Sequence, residues 1–516
     1  MHRKIKKLFK NPKSFWRDSR FNIKQKKIFK ISNNNNNPIL KPIGIDFKID
    51  FLIQKLEQLN INGFYIEPLD RTLKYAICIN QNDKKKFIIS FMTLLASEDI
   101  TLQYKMKNTI KKAYNINDFW SDIYTLKNVD IRLNTQRVTN KHFFWFRLEF
   151  WEEYENFYLS PTANHISRKL WKDVSNKHSI FCNKNQFINY NIILSHIHES
   201  MVSFDIDLVF TWVNSEDEDW KKIYANYVLV KEKSDATSTS RFFSRDELKY
   251  ALRSWSEYGD FIRNIYIVSN CKPPRWLNLE QSGIYWIYHE EIMPKEVLPT
   301  FSSHAIETSL HKIEGLSNYF IYSNDDFLLI KPTTKDDFFF PNGIAKVRLE
   351  KYGNVNGLTK EGDPDYLNAA RNSNKLLELE FKKTTTQLHT HSPQSMRIDI
   401  LTQMEEKYAD KFSETMKNKF RTYKDIAVTG YFYHHYAILS GNALQCDTRT
   451  ELIQQNHDFQ KKLKKLVLLK EGNKIKELPM SVCLNDGADS HLNETWNLEV
   501  ISFLNTFFHN KSKYEI

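Results

Sequence analysis

The sequence predicts an α/β fold: a doubly wound, mostly parallel sheet over residues 204–516, preceded by an α+β module over residues 43–195 and a basic arm with an Asn-rich linker over residues 1–38. Two observations carry this. From Phe204 onward short apolar runs alternate with amphipathic helical patterns, as parallel strands require because each crossover must travel back along the sheet. Each run also stops on polar residues, and open sheets of this kind bind ligands outside the carboxyl ends of their strands.

The chain has 516 residues, 41% of them hydrophobic and 14% aromatic, which is globular rather than disordered composition and enough for two to four domains. No apolar run approaches the roughly eighteen residues of a membrane span, and the N-terminus lacks the pattern of a secretory signal, so the expectation is a cytoplasmic protein. Cys78, Cys182, Cys271, Cys446 and Cys483 are scattered and odd in number, so free thiols and no structural zinc are expected.

Residues 1–31 hold twelve Lys or Arg against one acid, Asp18, and so carry +11 (12 − 1) of the net +12. Interleaved Ile5, Leu8, Phe9, Phe15, Trp16, Phe21 and Ile28 make this arm a candidate for peripheral contact with an anionic membrane at the inner face of the cell. The alternative is a solvated basic tail, and no nucleic acid partner is expected. Ser32 to Pro38, with five consecutive Asn, reads as a linker.

In the module at 43–195, Phe51, Leu52, Leu56 and Leu59 follow a helical pattern, whereas Tyr75 to Ile79 and Phe87 to Ile89 read as strands. His142 to Leu159 alternates charged and aromatic residues as a half-buried strand pair does. No catalytic constellation stands out, and the expected role is support or acceptor handling.

The second part begins with DIDLVFTWVN, Asp205 to Asn214, as its first strand. Ser244 and Glu247 have capping-box spacing before Leu248, Leu252 and Trp255, and Gly259 stops that helix. Asn264 to Val268 is a buried strand closing on Ser269 and Asn270. Ser303 to Ile313 reads as one helix ended by Gly315, which places Glu307 and His311, four apart, on one face with His304 at its start.

The next strand, Tyr319 to Tyr322, stops at Asn324, Asp325 and Asp326. Adjacent carboxylates and an amide oxygen are hard ligands suited to Mg2+ or Mn2+ beside phosphates. A solvated Asn-Asp-Asp turn would look the same.

The blocks DIDLVFTWVN, SRDELKYALRSW, IRNIYIVSN, PRWLN, LPTFSSHAIETSLHKIEGLSNYFIYSNDDF, then HSP with FRTYKDI, and CLNDG near the C-terminus occur in an order that resembles the Stealth family. That family comprises bacterial capsular polysaccharide phosphotransferases and the eukaryotic lysosomal-enzyme N-acetylglucosamine-1-phosphotransferase. The resemblance implies a nucleotide-sugar transferase-like fold and transfer of a sugar-1-phosphate from a nucleotide sugar, a UDP-sugar first among them, to a glycan hydroxyl.

By the same resemblance Asn324, Asp325 and Asp326 match the metal-site motif, with Asp326 the preferred ligand, and Asn485 and Asp486 match the C-terminal block. Asp207, Trp212 and Asn214 match the nucleotide-sugar-binding first block, and Arg253 and Asn270 stand in the blocks expected to contact the donor. His391 matches an active-centre His and is the expected base, with Glu307 next; Arg421 matches the cation expected on the phosphoryl group, and His434 and His435 are expected in the core or behind the site. Two positions depart: Ser215 stands where members commonly carry Gly, and His304 where they show Asn or Pro. The large insertions and membrane anchor of the eukaryotic members have no counterpart, which points to the compact bacterial enzymes and to capsule or surface glycan synthesis. An ordinary metal-dependent glycosyltransferase releasing a nucleoside diphosphate, and a non-catalytic, membrane-associated glycan-binding protein, remain as alternatives.

Overall fold

The computed structural model describes residues 46–66, 74–97, 100–107, 109–135, 145–162, 168–177, 179, 181, 187–189, 201–228, 242–487 and 490–516. The basic arm and linker expected over residues 1–38 lie outside these. The chain divides into two compact units, Met1–Ile193 and Leu194–Ile516.

The first unit contains α1 (Asp46–Glu57), β1 (Gly63–Ile66), β2 (Ala76–Asn80), α2 (Lys84–Ser97), β3 (Ile100–Met106), β4 (Thr109–Ala113), α3 (Ile116–Ile123), β5 (Asn128–Thr135), β6 (Trp145–Glu153), β7 (Phe157–Leu159), β8 (Lys169–Trp171) and β9 (Ile188–Asn189). Its strands form one sheet in the order β4-β3-β5-β6-β2-β1-β9, with β7 and β8 continuing from the end of β6. Phe87 to Ile89, expected as a strand, lies in α2 instead. There Phe87, Ile88, Phe91, Met92 and Leu95 bury one helix face, a period that three residues are too few to reveal. Lys84 Nζ donates to the carbonyls of Ile123 and Tyr124 and so closes the carboxyl end of α3.

In the second unit β10 (Ile206–Thr211) is followed by α4 (Glu218–Val228), α5 (Glu247–Tyr258), β11 (Ile262–Ser269), β12 (Ile284–Tyr288), α6 (Ser303–Glu307) and β13 (Tyr319–Asn324). Then come β14 (Phe327–Leu329), β15 (Ala345–Val347), α7 (Asp365–Phe381), β16 (Gln394–Arg397), α8 (Ile398–Lys407), β17 (Ala443–Gln445), β18 (Glu451–Gln454), α9 (Phe459–Glu471), β19 (Ser481–Asn485) and α10 (Glu494–Phe507). The central sheet runs β12-β11-β10-β13-β16, with every pair parallel except β13 with β16. Buried apolar runs such as Leu208–Val209–Phe210 supply strands covered on both faces, which is what a parallel sheet asks for.

The chain steps outward from β10 through β11 to β12 and returns to β13 on the other side of β10. Neighbouring β10 and β13 therefore send their crossovers in opposite directions, and a crevice opens at their carboxyl ends. Thr211 pairs with Asn324 at those ends, so Trp212 and Asp325 leave the sheet side by side. A smaller sheet, β14-β19-β18, extends the crevice: Phe327 pairs with Cys483 and the Leu484 amide donates to the Asp326 carbonyl, which brings Asn485 beside Asp326.

Two helices differ from expectation. The helix expected over Ser303 to Ile313 ends at Glu307 and is followed by a separate 3-10 turn at Leu310–Lys312. Thr308 Oγ1 donates to the Ala305 carbonyl at 2.7 Å, the side-chain competition that bends helices. Glu307 and His311 therefore do not share a face, and His311 Nε2 pairs with Glu405 at 2.7 Å. Ser244 and Glu247 do not form a capping box either. Asp246 occupies the N-cap position of α5 in the left-handed conformation at φ 64° without a side-chain capping bond, and Glu247, the first helical residue, accepts from Ser244 Oγ and the Arg245 amide.

Three residues expected at the donor site serve the scaffold. Asp207 sits near the amino end of β10, fully buried, and accepts two bonds from the Arg263 guanidinium and one each from the amides of Asn264 and Ser317. Arg253 is buried and ties α5 to the C-terminus through Glu515 and the Phe508 carbonyl. Asn214 folds its side-chain oxygen onto the Glu216 amide and caps the turn after β10.

Asp207 thus joins the starts of β10 and β11 to the segment entering β13. Asp207→Ala is expected to lower unfolding free energy by about 2 kcal/mol or more, because the amides it holds lose a charged acceptor. Denaturant unfolding checks this, and an unchanged midpoint contradicts it.

Candidate functional site

A cavity of about 720 Å³ opens at the carboxyl ends of β10 and β13. Its floor carries Trp212, Asn270 and the turn Asn324, Asp325 and Asp326; Glu247, Asn485 and Asp486 close one side. The same cavity is lined by His304 and Glu307 of α6, His391, and Arg421. Ten of the expected site residues therefore share one space, and Asp207, Asn214 and Arg253 lie outside it.

The acidic side is strained electrostatically. Asp325 and Asp326 keep part of their surface open to the cavity but sit deep in the protein. Burial pushes Asp326 up to about 7, with the charges of Glu247 and Asp486 adding to the effect against a hydrogen bond from Cys483. Asp325 is raised well above the usual carboxylate range, first by burial and then by Glu247 and Asp326. Arg245 offsets part of this crowding: its guanidinium bonds Glu247 at 3.0 Å and Asp486 at 2.9 Å, and Asn497 holds it in place. Asp486 also accepts from Trp496 Nε1, so both its oxygens are engaged. Asp326 Oδ1 is buried with no hydrogen-bond partner.

These donors fit a divalent cation. An orphaned carboxylate oxygen among repelling acids is relieved by positive charge, and the amide oxygens of Asn324 and Asn485 lie on the same wall. Among the described residues no group of three or more His, Cys, Asp or Glu side chains is placed to hold a metal ion by itself. Asn324, Asp325, Asp326 and Asn485 offer oxygen donors only, the kind Mg2+ takes when it uses one or two carboxylates and completes its shell with water and phosphate oxygens.

The rest of the lining includes the cation and the imidazoles. Arg421 Nε donates to Ser303 Oγ at 3.2 Å, which places the guanidinium at the first turn of α6. Next to Ser303, His304 meets Asp425 through Nδ1 at 3.0 Å. Asp425 also accepts from Asn418 at 2.7 Å and from the backbone and hydroxyl of Thr422 at 3.0 and 2.9 Å. Burial works to raise this carboxyl, but His304 and the Thr422 donors outweigh it and hold it below the usual range. Asp425 is thus an ionised, acceptor-only partner, so His304 donates from Nδ1, and its Nε2 is the acceptor whenever the ring is neutral.

His391 is set more loosely. Its Nδ1 lies 3.8 Å from Glu350 Oε1 and has no hydrogen bond. Burial lowers the imidazole and raises the Glu350 carboxyl. Glu307, buried, accepts from the Thr429 amide at 3.3 Å. His434 and His435 are buried against Gln394 and the Gln387 carbonyl, supporting the wall.

Sequence reasoning missed Glu247, Asp425 and Glu350. Glu247 carried a capping signal that masked it. Asp425 and Glu350 had no local signal, since each acquires meaning from a partner 121 or 41 residues away.

Comparison with known proteins follows the same layout. Residues 241–347 match the model of Stealth protein CR2, conserved region 2, and residues 390–439 match Stealth protein CR3, conserved region 3. Capsular polysaccharide phosphotransferase SacB of Neisseria meningitidis serogroup A is 53% identical over 543 aligned residues, covering 100% of this chain and 99% of that protein. Exopolysaccharide phosphotransferase CpsY of Mycobacterium leprae is 32% identical, covering 73% of this chain and 70% of its own. The solved galactosyltransferase LgtC, in complex with donor and acceptor sugar analogues, aligns over 60% of the chain at 8% identity and a TM-score of 0.31, too loose a superposition to carry an argument. The two matched regions contain the Asn324–Asp326 turn, His304 and Glu307 in one, His391 and Arg421 in the other, and with full-length identity to a curated relative they show that this chain belongs to the Stealth family.

Proposed function

We infer that this protein is a sugar-phosphate transferase of capsule or surface polysaccharide synthesis, moving a hexose-1-phosphate or its amino-sugar counterpart from a nucleotide sugar to a glycan hydroxyl. The relatives' names as capsular and exopolysaccharide phosphotransferases support it. The observation that supports the reading most is that one cavity at the switch point is lined by a carboxylate and amide cluster together with an arginine and two imidazoles. A diphosphate needs the first set, and a phosphoryl group under attack by a hydroxyl needs the second.

In this reading the acceptor oxygen bonds to the sugar-linked phosphorus and the bond to the departing nucleoside monophosphate breaks. Asp325 and Asp326, with Asn324 and Asn485, would hold Mg2+ or Mn2+, which when bound neutralises the diphosphate. Asp486 and Arg245 keep that wall in place. Trp212 and Asn270 line the floor where the donor would lie, a UDP-sugar being our first choice. Arg421 presents its guanidinium to the transferred phosphoryl group, a planar fork that can bind two oxygens. His391 takes the hydroxyl proton, with Glu307 the next candidate. Contact with an anionic membrane through the basic arm belongs to the same reading; among the described residues no helix is long and apolar enough to cross a membrane.

Three outcomes test these roles. The product glycan is expected to show a phosphodiester signal in 31P NMR, and a product without phosphorus contradicts the reaction class. Excess EDTA should stop turnover and added Mg2+ restore it, and Asp326→Ala should lose on the order of a hundredfold in rate while keeping its unfolding midpoint; full activity in EDTA removes the metal. Because burial lowers the His391 imidazole, the acid limb of the pH–rate profile should fall below the ordinary imidazole value of about 6.5. His391→Ala should lose that limb and on the order of a hundredfold in rate, whereas Arg421→Lys should keep the limb and lose rate. A near-normal His391→Ala enzyme with the same profile moves the base elsewhere.

A further inference from the structure

We propose that α9, with its lysines, and α10, with Leu498 and Ile501, form a leucine-tipped face by which the second unit rests on an anionic lipid surface. The helices lie side by side and run the same way. Near their starts the Phe459 and Trp496 rings are 5.0 Å apart and Gln460 donates to Glu499 at 3.0 Å; near their ends Lys470 Nζ lies 4.5 Å from the Phe507 ring. Each helix buries one stripe: Phe459, Leu463, Leu466 and Leu469 on α9, and Trp496, Val500, Phe503, Leu504 and Phe507 on α10.

The opposite stripe is unusual. On α9 the positions i, i+3, i+4 and i+7 are Lys461, Lys464, Lys465 and Leu468, all exposed, with Leu468 57% accessible. On α10 the outward residues include Leu498, 69% accessible, and Ile501. Lys462 is paired with Glu451 and Asp458 and Lys470 with Glu257, whereas Lys461, Lys464 and Lys465 form no ion pair among the described residues. Residues 459–477 hold seven Lys against Glu471 and Glu477, a local charge of +5 (7 − 2), whereas α10 holds Glu494 and Glu499 and neither Lys nor Arg, so the basic charge lies on the α9 side of the face. Because the helices are parallel, the segments leaving them start at the same end of the pair, and these carry exposed Lys474, Lys476, Lys511 and Lys513.

Charge alone would suit any polyanion, and the leucines decide. A hydrated polyanionic glycan or nucleic acid offers Leu468 and Leu498 nothing to bury against, and the outward stripes carry neither an Arg nor an aromatic ring for stacking on sugars or bases. At a headgroup boundary the leucines enter the apolar layer while the lysine stems lie along it and their ammonium groups meet lipid phosphates. The inner stripe of α10 meets the catalytic wall, since Trp496 donates to Asp486, so the face would set the cavity's attitude to the membrane. None of the outward residues lines the cavity, and this proposal stands apart from the reaction assigned above.

The test uses the full chain, with its N-terminal arm present in every variant, sedimented with vesicles of phosphatidylcholine containing roughly one-third phosphatidylglycerol and with pure phosphatidylcholine. K461E/K464E/K465E and, separately, L468Q/L498Q are each expected to weaken binding to the anionic vesicles by about tenfold, with the unfolding midpoint unchanged. Binding that is unchanged in both variants overturns the proposal. Loss in the lysine variant alone also overturns it, because that marks a surface for soluble polyanions rather than for lipid.

Discussion

The second unit depends on crowding negative charge at the point where β10 and β13 part. Asp325, Asp326, Glu247 and Asp486 converge there with Arg245 as the buried counter-charge, and Asp326 keeps an oxygen without a partner. Such an arrangement is unfavourable in an isolated fold and persists because the surrounding elements over-determine it. β13 delivers the aspartates, β19 delivers Asn485 and Asp486, and α10 pins Asp486 through Trp496. In the proposed reading a cation and a diphosphate arriving there would relieve this crowding.

The other wall is built on a different principle. Asp425 satisfies both of its oxygens and thereby fixes the tautomer of His304, whereas His391 faces Glu350 across a gap that a hydrogen bond does not yet bridge. One imidazole is held by a hydrogen bond and the other is not. Catalytic hydrogen bonds commonly tighten only in the substrate complex, so the looser geometry suits a group that must engage an acceptor arriving from outside.

Much of this was legible in the chain because the signal is local. An apolar strand that stops on polar residues can be read within ten residues, and it located Asn324 to Asp326, Trp212 and Asn270 on the cavity floor. The ordered blocks located His391 and Arg421, which carry no local mark. What failed was position along a strand and the meaning of spacing. Asp207 belongs to the same run as Trp212 but lies at the opposite end of the strand, about 3.3 Å per residue away from the crevice. Glu307 and His311 are four apart only in number, because Thr308 turns its hydroxyl onto the backbone and ends the helix between them. Glu247 has the spacing of a cap, but it is the first residue of the helix, accepts from Ser244 and the Arg245 amide, and serves as one of the crowded acids. The alternation from helix to strand was clear, while Phe87 to Ile89 shows that three apolar residues fit either period.

In the proposed reaction phosphorus, and not the sugar carbon, is the centre attacked. Incubating the full chain with Mg2+, a glycan acceptor and a panel of nucleotide sugars, then separating the nucleotides released, decides it directly. The account predicts a nucleoside monophosphate, formed in step with glycan product; release of a nucleoside diphosphate in that proportion would contradict it.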